Sequence, residues 1–517
     1  IGRGRSRLLV NGIPLNDPQD GRAPFAHVAT SGLYTLSLDA PVDQVYAPGI
    51  EGALSMHELV APRARPNTVI DLSKGSNQVR QRRVRFGSQA GSVGLDVTYD
   101  EVLDDGYDFD AYDFIFGPDA PKGRARSRNV SISLRGDLPD DAGYTIGVRR
   151  FDSSSIGDLQ NVSSEAIRRG HLVWATAGVN QSHLTVYGRG YNASRPDSST
   201  ENETVGGVVS WNPRRGGNAL HVFALGEHTN AIQNVGRGDI HTRATEVNAG
   251  VSTEAVAGTI TWFAHGIVAG DEDSRAWGAG GGARRALPGG DLSLSAQRSF
   301  RMPTIGERYL PLHDHYGLML SGNPDLDPET SWEADADWTL HAGAFTNRVR
   351  GAWIQSRDYV AYAPVAGDSL ARRPANMDGT PSMTFLDERL HLGAMLGSVE
   401  LRGDAGGTLS SGDRTGAFRS VPRVQVNASL LCGMQLFEKT SALYLGGEYA
   451  FVDNRLDYDG EPLSSYQVVN VMLLGRLIDA HVYVKWLNVL DERYQTVWGY
   501  LMTPRTLAYG IEWTLFD

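Results

Sequence analysis

From about Thr68 to its end, the chain repeats one pattern, in which apolar and polar residues alternate over segments of roughly 9 to 15 positions. In the last segment Leu507, Tyr509, Ile511 and Trp513 alternate with small or polar residues. Successive side chains of a β-strand point to opposite faces, so each segment predicts a strand with one apolar face. A helix would scatter the intervening polar residues around its circumference. The pattern therefore predicts an all-β fold.

The segments recur about every 20 residues and can be paired into upward and downward strands. We place the starts of the upward strands near Thr68, Ser92, Gly143, Gln181, Asn218, Gly258, Asp291, Phe345, Ser398, Ser441 and Asp479. A downward partner after each gives about 22 strands, an even number as in bacterial outer-membrane barrels. Short turns follow the downward strands, and the long connections, near 104–126, 303–327 and 364–378, follow upward strands. This asymmetry is typical of periplasmic turns and outer loops.

The composition agrees with a barrel whose apolar side faces lipid. No run of eighteen apolar residues is present, so no transmembrane helix is expected, whereas alternating strands escape such a test. The 60 glycines suit tight turns, and the 10 tryptophans and 20 tyrosines suit the aromatic girdles of a barrel. The net charge of −12 argues against a nucleic-acid partner. A single cysteine excludes an intrachain disulfide.

Residues 1–67 differ from the rest of the chain. They contain a short strand near residues 7–11, the turn-forming run GIPLNDPQDG, and irregular segments up to Pro66. We expect a small, loop-rich domain here and the barrel over residues 68–517.

Three stretches resemble TonB-dependent outer-membrane receptors. SFRMPTIGERYLP and, after it, GNPDLDPETSWEADADW are similar to the family's Phe-Arg-Ala-Pro-Thr segment and its GNPDL-x-PE loop. The stretch VKWLNVLDERYQTVWGYLMTPRTLAYGIEW looks like the family's closing hairpin, and RLLVNGIPLNDP resembles its plug segment VLVDGVPLND. The chain departs from these patterns at Met302, at Thr503 and Pro504, and at Asn11.

The resemblance implies a receptor whose barrel is filled by an N-terminal plug, with residues 1–67 as a partial plug domain. It implies import of a scarce nutrient, namely a ferric siderophore, cobalamin, haem or a saccharide, driven by the TonB energy-coupling complex. The TonB box and the first half of the family's plug have no counterpart here, so contact with TonB is expected through residues outside this sequence. We expect a monomer in the lipid of the bacterial outer membrane, with no nucleic acid and no catalysis.

Two other readings remain open. Residues 38–56 lack the glutamates and the arginine of the family's ERIEVLRGP element, which motivates a passive or structural barrel, porin-like or adhesive, with a degenerate plug. The third reading is a soluble β-rich glycan-binding protein or enzyme. Enzyme signatures such as G-x-S-x-G, H-E-x-x-H and the phosphate-binding loop with its lysine do not occur in the sequence.

In such a receptor, binding residues belong to the plug tip and the long outer loops. The candidates are Asp17, Gln19, Asp20, Tyr107, Phe109, Tyr112, Tyr309, His313, His315 and Tyr316. An ordinary solvated turn suits the plug residues equally well, and the membrane interface suits the loop aromatics equally well. For the two histidines, solvent exposure in the loop is the favoured reading.

One outer loop, residues 103–119, is rich in carboxylates, the ligands that Ca²⁺ prefers. Its candidate ligands are Asp104, Asp105, Asp108 and Asp110. Their spacing is not that of an EF-hand, and a solvated acidic loop is the favoured reading. No other cofactor is expected. The alternating carboxylates Glu333, Asp335 and Asp337 are predicted to face the lumen and to pair with arginines of the plug or of neighbouring strands.

Overall fold

The structure is a computed structural model. It describes residues 7–18, 33–39, 53–58, 66–106, 124–139, 142–155, 166–195, 198–234, 239–310, 313–315, 318–415, 418–437, 440–457, 460, 462–497 and 500–515. No helix within these ranges combines the length and the apolar character that crossing a membrane requires.

The N-terminal part forms a four-stranded sheet. Its strands are β1 (Arg7–Val10), β2 (Ile13–Pro14), β3 (Leu33–Asp39) and β4 (Ala53–Glu58), in the order β2-β1-β4-β3. Strand β1 runs parallel to β4, and the other pairs are antiparallel. Asn11 and Gly12 join β1 to β2 with φ angles of 52° and 79°. Asn-Gly suits this hairpin because both residues tolerate positive φ.

The rest of the chain forms one closed antiparallel barrel of 22 strands. The strands are β5 (Asn67–Gly75), β6 (Arg80–Ala90), β7 (Val93–Asp104), β8 (Ala125–Leu138), β9 (Ala142–Ser155), β10 (Ala166–Val179), β11 (Ser182–Arg195), β12 (Ser198–Trp211, continued by the short β13, Arg214–Arg215), β14 (Asn218–Asn234), β15 (Asp239–Ala257), β16 (Ile260–Gly270), β17 (Arg275–Leu287), β18 (Gly290–Arg301), β21 (Glu329–Ala342), β22 (Phe345–Arg357), β25 (Ser382–Leu396), β26 (Val399–Gly412), β27 (Val424–Leu436), β28 (Ser441–Val452), β31 (Tyr466–Leu477), β32 (Ala480–Leu487) and β35 (Thr506–Leu515). The predicted fold class and strand number are confirmed.

The barrel closes where its last strand meets its first. Strand β35 pairs with β32 on one side and with β5 on the other, where Leu515 lies opposite Thr68. Closure gives every barrel strand two hydrogen-bonded neighbours, so the barrel has no sheet edge.

The two faces of the barrel differ as the alternation predicts. On β35, Tyr509, Ile511 and Trp513 are exposed on the outer face, while Thr506 is buried on the inner one. An apolar outward face suits lipid, and a polar interior suits a filled or wet lumen.

The inward carboxylates of β21 pair with arginines of β22. Glu333 lies 2.7 Å from Arg350, and Asp335 lies 3.5 Å from the same guanidinium. Arg348 binds Asp337 in the same way. The prediction that these carboxylates pair with neighbouring-strand arginines is confirmed.

One end of the barrel has short turns and the other has the long connections. Residues 91–92, 180–181, 258–259, 288–289, 343–344, 397–398 and 478–479 are two-residue turns at one end. The long connections 302–328 and 358–381 lie at the opposite end, which we take as the outer rim.

The outer connections carry structure of their own. They contain the helix α1 (Ile305–Tyr309), the sheet β19 (His313–His315), β20 (Leu318–Leu320), β24 (Asp368–Asn376) and β23 (Val360–Val365), the pair β29 (Arg455–Leu456) and β30 (Pro462–Leu463), and the pair β33 (Gln495–Val497) and β34 (Tyr500–Leu501). A 3₁₀ turn, Ser76–Gln78, follows β5.

Candidate functional site

The segment after β2 forms the plug tip, residues 15–18, and it is seated on the inner wall of the barrel. Ile13 is 1% exposed and packs in a cluster with inward side chains of β10, β11, β12 and β14. Those side chains are Leu172, Trp174, Tyr187, Val208 and Leu225. Within the plug, Asn16 Oδ1 accepts from the Leu8 N–H (2.8 Å) and fixes the loop on its own sheet.

Polar contacts join the plug tip to two further parts of the molecule. Arg189 Nη1 donates to the Asn16 carbonyl (2.6 Å), and Asn202 Nδ2 donates to Asp17 Oδ1 (3.1 Å). The Ile305 N–H donates to the Pro18 carbonyl (3.2 Å). Three consecutive plug residues are thereby bonded to the barrel wall and to the start of α1.

A capping box stabilises the start of helix α1, and its glutamate also forms an ion pair. Thr304 Oγ1 accepts from the Glu307 N–H (3.2 Å), and Glu307 Oε2 accepts from the Thr304 N–H (2.8 Å). The same carboxylate accepts from Arg301 (2.8 Å), whose Nε also donates to Glu329 (3.0 Å). Arg301 and Glu329 are almost completely buried. The FRMPTIGERYLP and GNPDLDPE stretches are thus joined through one guanidinium.

The far end of α1 is anchored to the connection between β16 and β17. Arg308, which is 4% exposed, lies 2.8 Å from Asp271 and 3.4 Å from Asp273 and donates to Ser274 Oγ (2.6 Å). The Tyr309 hydroxyl donates to Asp273. Burial, and next the hydrogen bond to Asp273, raise the pKa of Tyr309 above its ordinary value, which favours the protonated phenol that donates to Asp273.

The GNPDL loop packs directly on α1. The Gly322 N–H donates to the Leu310 carbonyl (2.7 Å), and the Asn323 N–H donates to the Glu307 carbonyl (2.8 Å). A Cβ at Gly322 would lie 2.5 Å from the Arg308 carbonyl oxygen, so only glycine fits this approach. Two motifs of the sequence therefore build a single rim structure.

A cavity of about 90 Å³ lies between the plug tip, the barrel wall and α1. Its charged side chains are the carboxylates of Asp17, Glu227, Glu246, Asp271, Glu272 and Asp273 and the guanidinium groups of Arg189, Arg243 and Arg308. A ligand held there contacts the plug and the rim at the same time.

A second cavity of about 30 Å³ lies on the other side of the plug tip. Its lining is more apolar and includes Phe151, Leu172 and Tyr191, together with His171. The plug tip is thus flanked by one acidic cavity and one aromatic cavity.

The structure brings together two of the residues that the sequence selected as ligand contacts. Asp17 and Tyr309 line the same cavity. The backbone of His313 and His315 lies in β19, while their side chains are outside the described part of the structure. The remaining candidates, Gln19, Asp20, Tyr107, Phe109, Tyr112 and Tyr316, lie outside the described residues.

The calcium site stays a prediction. Asp104 ends β7 and accepts from the Gly106 N–H (2.8 Å), and Asp105 follows it. Asp108 and Asp110 lie outside the described residues. Among the residues that are described, no group of three or more His, Cys, Asp or Glu is arranged to hold a metal ion.

Several lining residues were missed by sequence reasoning. Arg308 lies inside a recognised stretch, Asp271 and Asp273 belong to a three-carboxylate turn, and Arg189 and Glu227 lie on inward strand faces. A weak signal was available, because a charged residue on an inward face near the outer rim is placed to meet a ligand. Their convergence depends on pairings between strands far apart in sequence.

The protein-family model described as TonB-dependent receptor-like, β-barrel, matches residues 61–479 of this chain. This chain belongs to the TonB-dependent receptor-like β-barrel family. No curated protein sequence is significantly similar to the chain.

Solved structures of siderophore receptors and of an iron transporter share this fold. The siderophore receptor PirA from Pseudomonas aeruginosa is 12% identical, with a TM-score of 0.77 over 99% of this chain and 92% of that chain. PirA from Acinetobacter baumannii is 12% identical, with a TM-score of 0.79 over 99% and 91%. The FrpB iron transporter from Neisseria meningitidis is 12% identical, with a TM-score of 0.77 over 100% and 92%. At such identities the likeness shows the fold alone.

Proposed function

We propose that this protein is a TonB-dependent transporter of the bacterial outer membrane that imports a scarce nutrient bound at the plug tip. The nutrient classes are ferric siderophores, cobalamin, haem and saccharides. Ferric siderophores come first among them because PirA, a siderophore receptor, and FrpB, an iron transporter, share the fold. The TonB complex is the expected source of energy, and the chain performs no chemistry on its cargo.

The cavity at the plug tip is the observation that carries this proposal. Its walls come from the plug (Asn16, Asp17 and Pro18), from strands β11, β14 and β15, and from α1. A ligand in this position reports its presence to the plug, because the plug carbonyls are bonded to Arg189 and Ile305. A passive pore has no need for a site shared between plug and rim.

Import by the full-length protein tests the proposal. The protein is expressed in a strain without its own nutrient receptors and supplied separately with a ferric trihydroxamate, a ferric tris-catecholate, haem, cobalamin and maltooligosaccharides. We expect saturable import of at least one compound in TonB-positive cells and none in TonB-deficient cells. Import that is equal in both strains, or a non-saturable leak of all small solutes, would instead support the passive barrel.

A further inference from the structure

We infer that the plug-tip cavity binds the ammonium or guanidinium group of a positively charged ligand, in particular a metal chelate or other organic molecule that carries such a group. The inference rests on the proposed function and adds the charge of the cargo to it. Three observations carry it, namely the charge of the cavity, the way in which it holds a cation of its own, and the distribution of charge over the outer rim.

The cavity has twice as many carboxylates as guanidinium groups among its lining residues. Arg189 is already paired with Glu227 at 3.0 Å, and Arg308 is held by Asp271 and Asp273. Glu272 lies on the exposed side of the same turn and belongs to none of these pairs. The field inside the cavity is therefore negative, and a wall of low dielectric constant strengthens it.

The cavity also shows how an organic cation fits between its carboxylates. The Arg308 guanidinium is buried between two aspartates and a serine hydroxyl, at distances of 2.6 to 3.4 Å. Charge-assisted hydrogen bonds of this kind are directional and strong. A ligand cation of similar shape would find the same kind of acceptor in Glu272.

The net negative charge of the chain is concentrated in the connections at the outer rim. The connections between strands at this end contain about twice as many Asp and Glu as Lys and Arg, enough to account for the full net charge of −12. Residues 105–124, which join β7 to β8, contain five aspartates and two basic residues. A negative rim steers cations towards the cavity and repels anions, such as trianionic ferric catecholates.

A matched set of ligands separates charge from shape. The probes are one linear ferric trihydroxamate whose terminal amine is free, acetylated or succinylated, so that the ammonium form is positive, the acetamide neutral and the succinamate negative. Binding to the purified full-length protein is measured by quenching of tryptophan fluorescence. We expect the free amine to bind at least about tenfold more tightly than the succinylated form, with a ratio that shrinks as salt is added.

Two charge-reversal variants assign this preference to the cavity. Glu272→Lys should lower the ratio severalfold, whereas Asp378→Lys, at an exposed position on another outer connection, should lower it far less. Equal binding of the three probes, a preference for the succinylated form, or no binding of any probe would overturn the inference. An equal effect of both variants would also overturn it, because the charge would then act from the whole surface. TonB-dependent import of any compound in the panel above would leave the proposed function standing in each of these cases.

Discussion

Arg301 joins two parts of the outer rim by forming ion pairs with two carboxylates. Its side chain is 3% exposed, with Glu307 on α1 at 2.8 Å and Glu329 at the start of β21 at 3.0 Å. A buried charge is stable only with its partners in place, because the desolvation cost is otherwise uncompensated. Removing this guanidinium leaves the carboxylates of Glu307 and Glu329 without the positive charge that offsets their burial.

We therefore predict that Arg301→Met loosens the rim without preventing barrel assembly. Breaking a buried ion pair costs about 3–5 kcal/mol. Here the loss destabilises the packing of α1 and the GNPDL loop and not the barrel strands. Limited proteolysis of the detergent-purified protein measures the loss as faster cleavage within residues 302–328. Arg348→Met is the matched control, because the Arg348 side chain is 51% exposed and exposed pairs contribute only about 0–1 kcal/mol. Equal cleavage of both variants would contradict the assigned role.

Gly322 is a second residue whose identity is dictated by close approach. An added Cβ would meet backbone atoms of Arg308 and Leu310 at 2.5 and 2.6 Å, and backbone has little freedom to yield. We predict that Gly322→Ala displaces the loop from α1 and raises proteolysis of the rim. Gly351→Ala should be silent, because nothing lies within 4 Å of the corresponding position. An unchanged cleavage pattern for Gly322→Ala would show that the approach is not tight.

The strands are the elements that sequence reasoning predicts best. Alternation has a period of two, and the inner and outer environments enforce it at every position of a strand such as β35. Each of the eleven upward starts lies within a few residues of an observed strand start, since glycine-rich turns separate the segments.

The rim structure and the cavity were beyond sequence reasoning. The pairs Arg308–Asp271 and Asn202–Asp17 join positions separated by 37 and 185 residues, and no periodicity reports such contacts. No pattern in the sequence indicated that Arg301 and Glu329 form a buried ion pair, although both residues lie in stretches that resemble motifs of the family. Their burial is fixed by how three outer connections pack on one another.

The closing strand β35 provides a test of the outward apolar face. We predict that Ile511→Arg reduces the yield of assembled barrel, because arginine on a lipid-facing position costs about 2–4 kcal/mol near the bilayer midplane. Glu512→Arg, one residue along and inward-facing opposite Asp71, should be tolerated. Heat-modifiable migration in gel electrophoresis reports the folded fraction. Equal loss in both variants would contradict the assignment of faces.

At the scale of the whole molecule, the plug tip connects the plug-tip cavity to the N-terminal sheet. Asn16 bonds to Leu8 of β1 and to Arg189 of the barrel wall, so displacement of the tip is passed to the sheet. Among the described residues, the contacts between tip and wall include the hydrogen bonds from Arg189 and Asn202 and the apolar cluster around Ile13. The barrel strands are bonded to one another and not through the plug, so we predict that the plug can move while the closed barrel stays intact.

A reversible tether between plug and wall tests this account most directly. Asp17→Cys and Asn202→Cys are combined in a Cys432→Ser background, because Asp17 and Asn202 are in hydrogen-bond contact and the native thiol is free and exposed. Import of whichever compound of the panel the unaltered receptor takes up is then measured in oxidised and reduced cells, with each single-cysteine variant as control. We predict that oxidation lowers import by the double variant to the level of TonB-deficient cells and that reduction restores it. Import at an unchanged rate through the tethered protein would contradict the claim that transport requires movement of the plug.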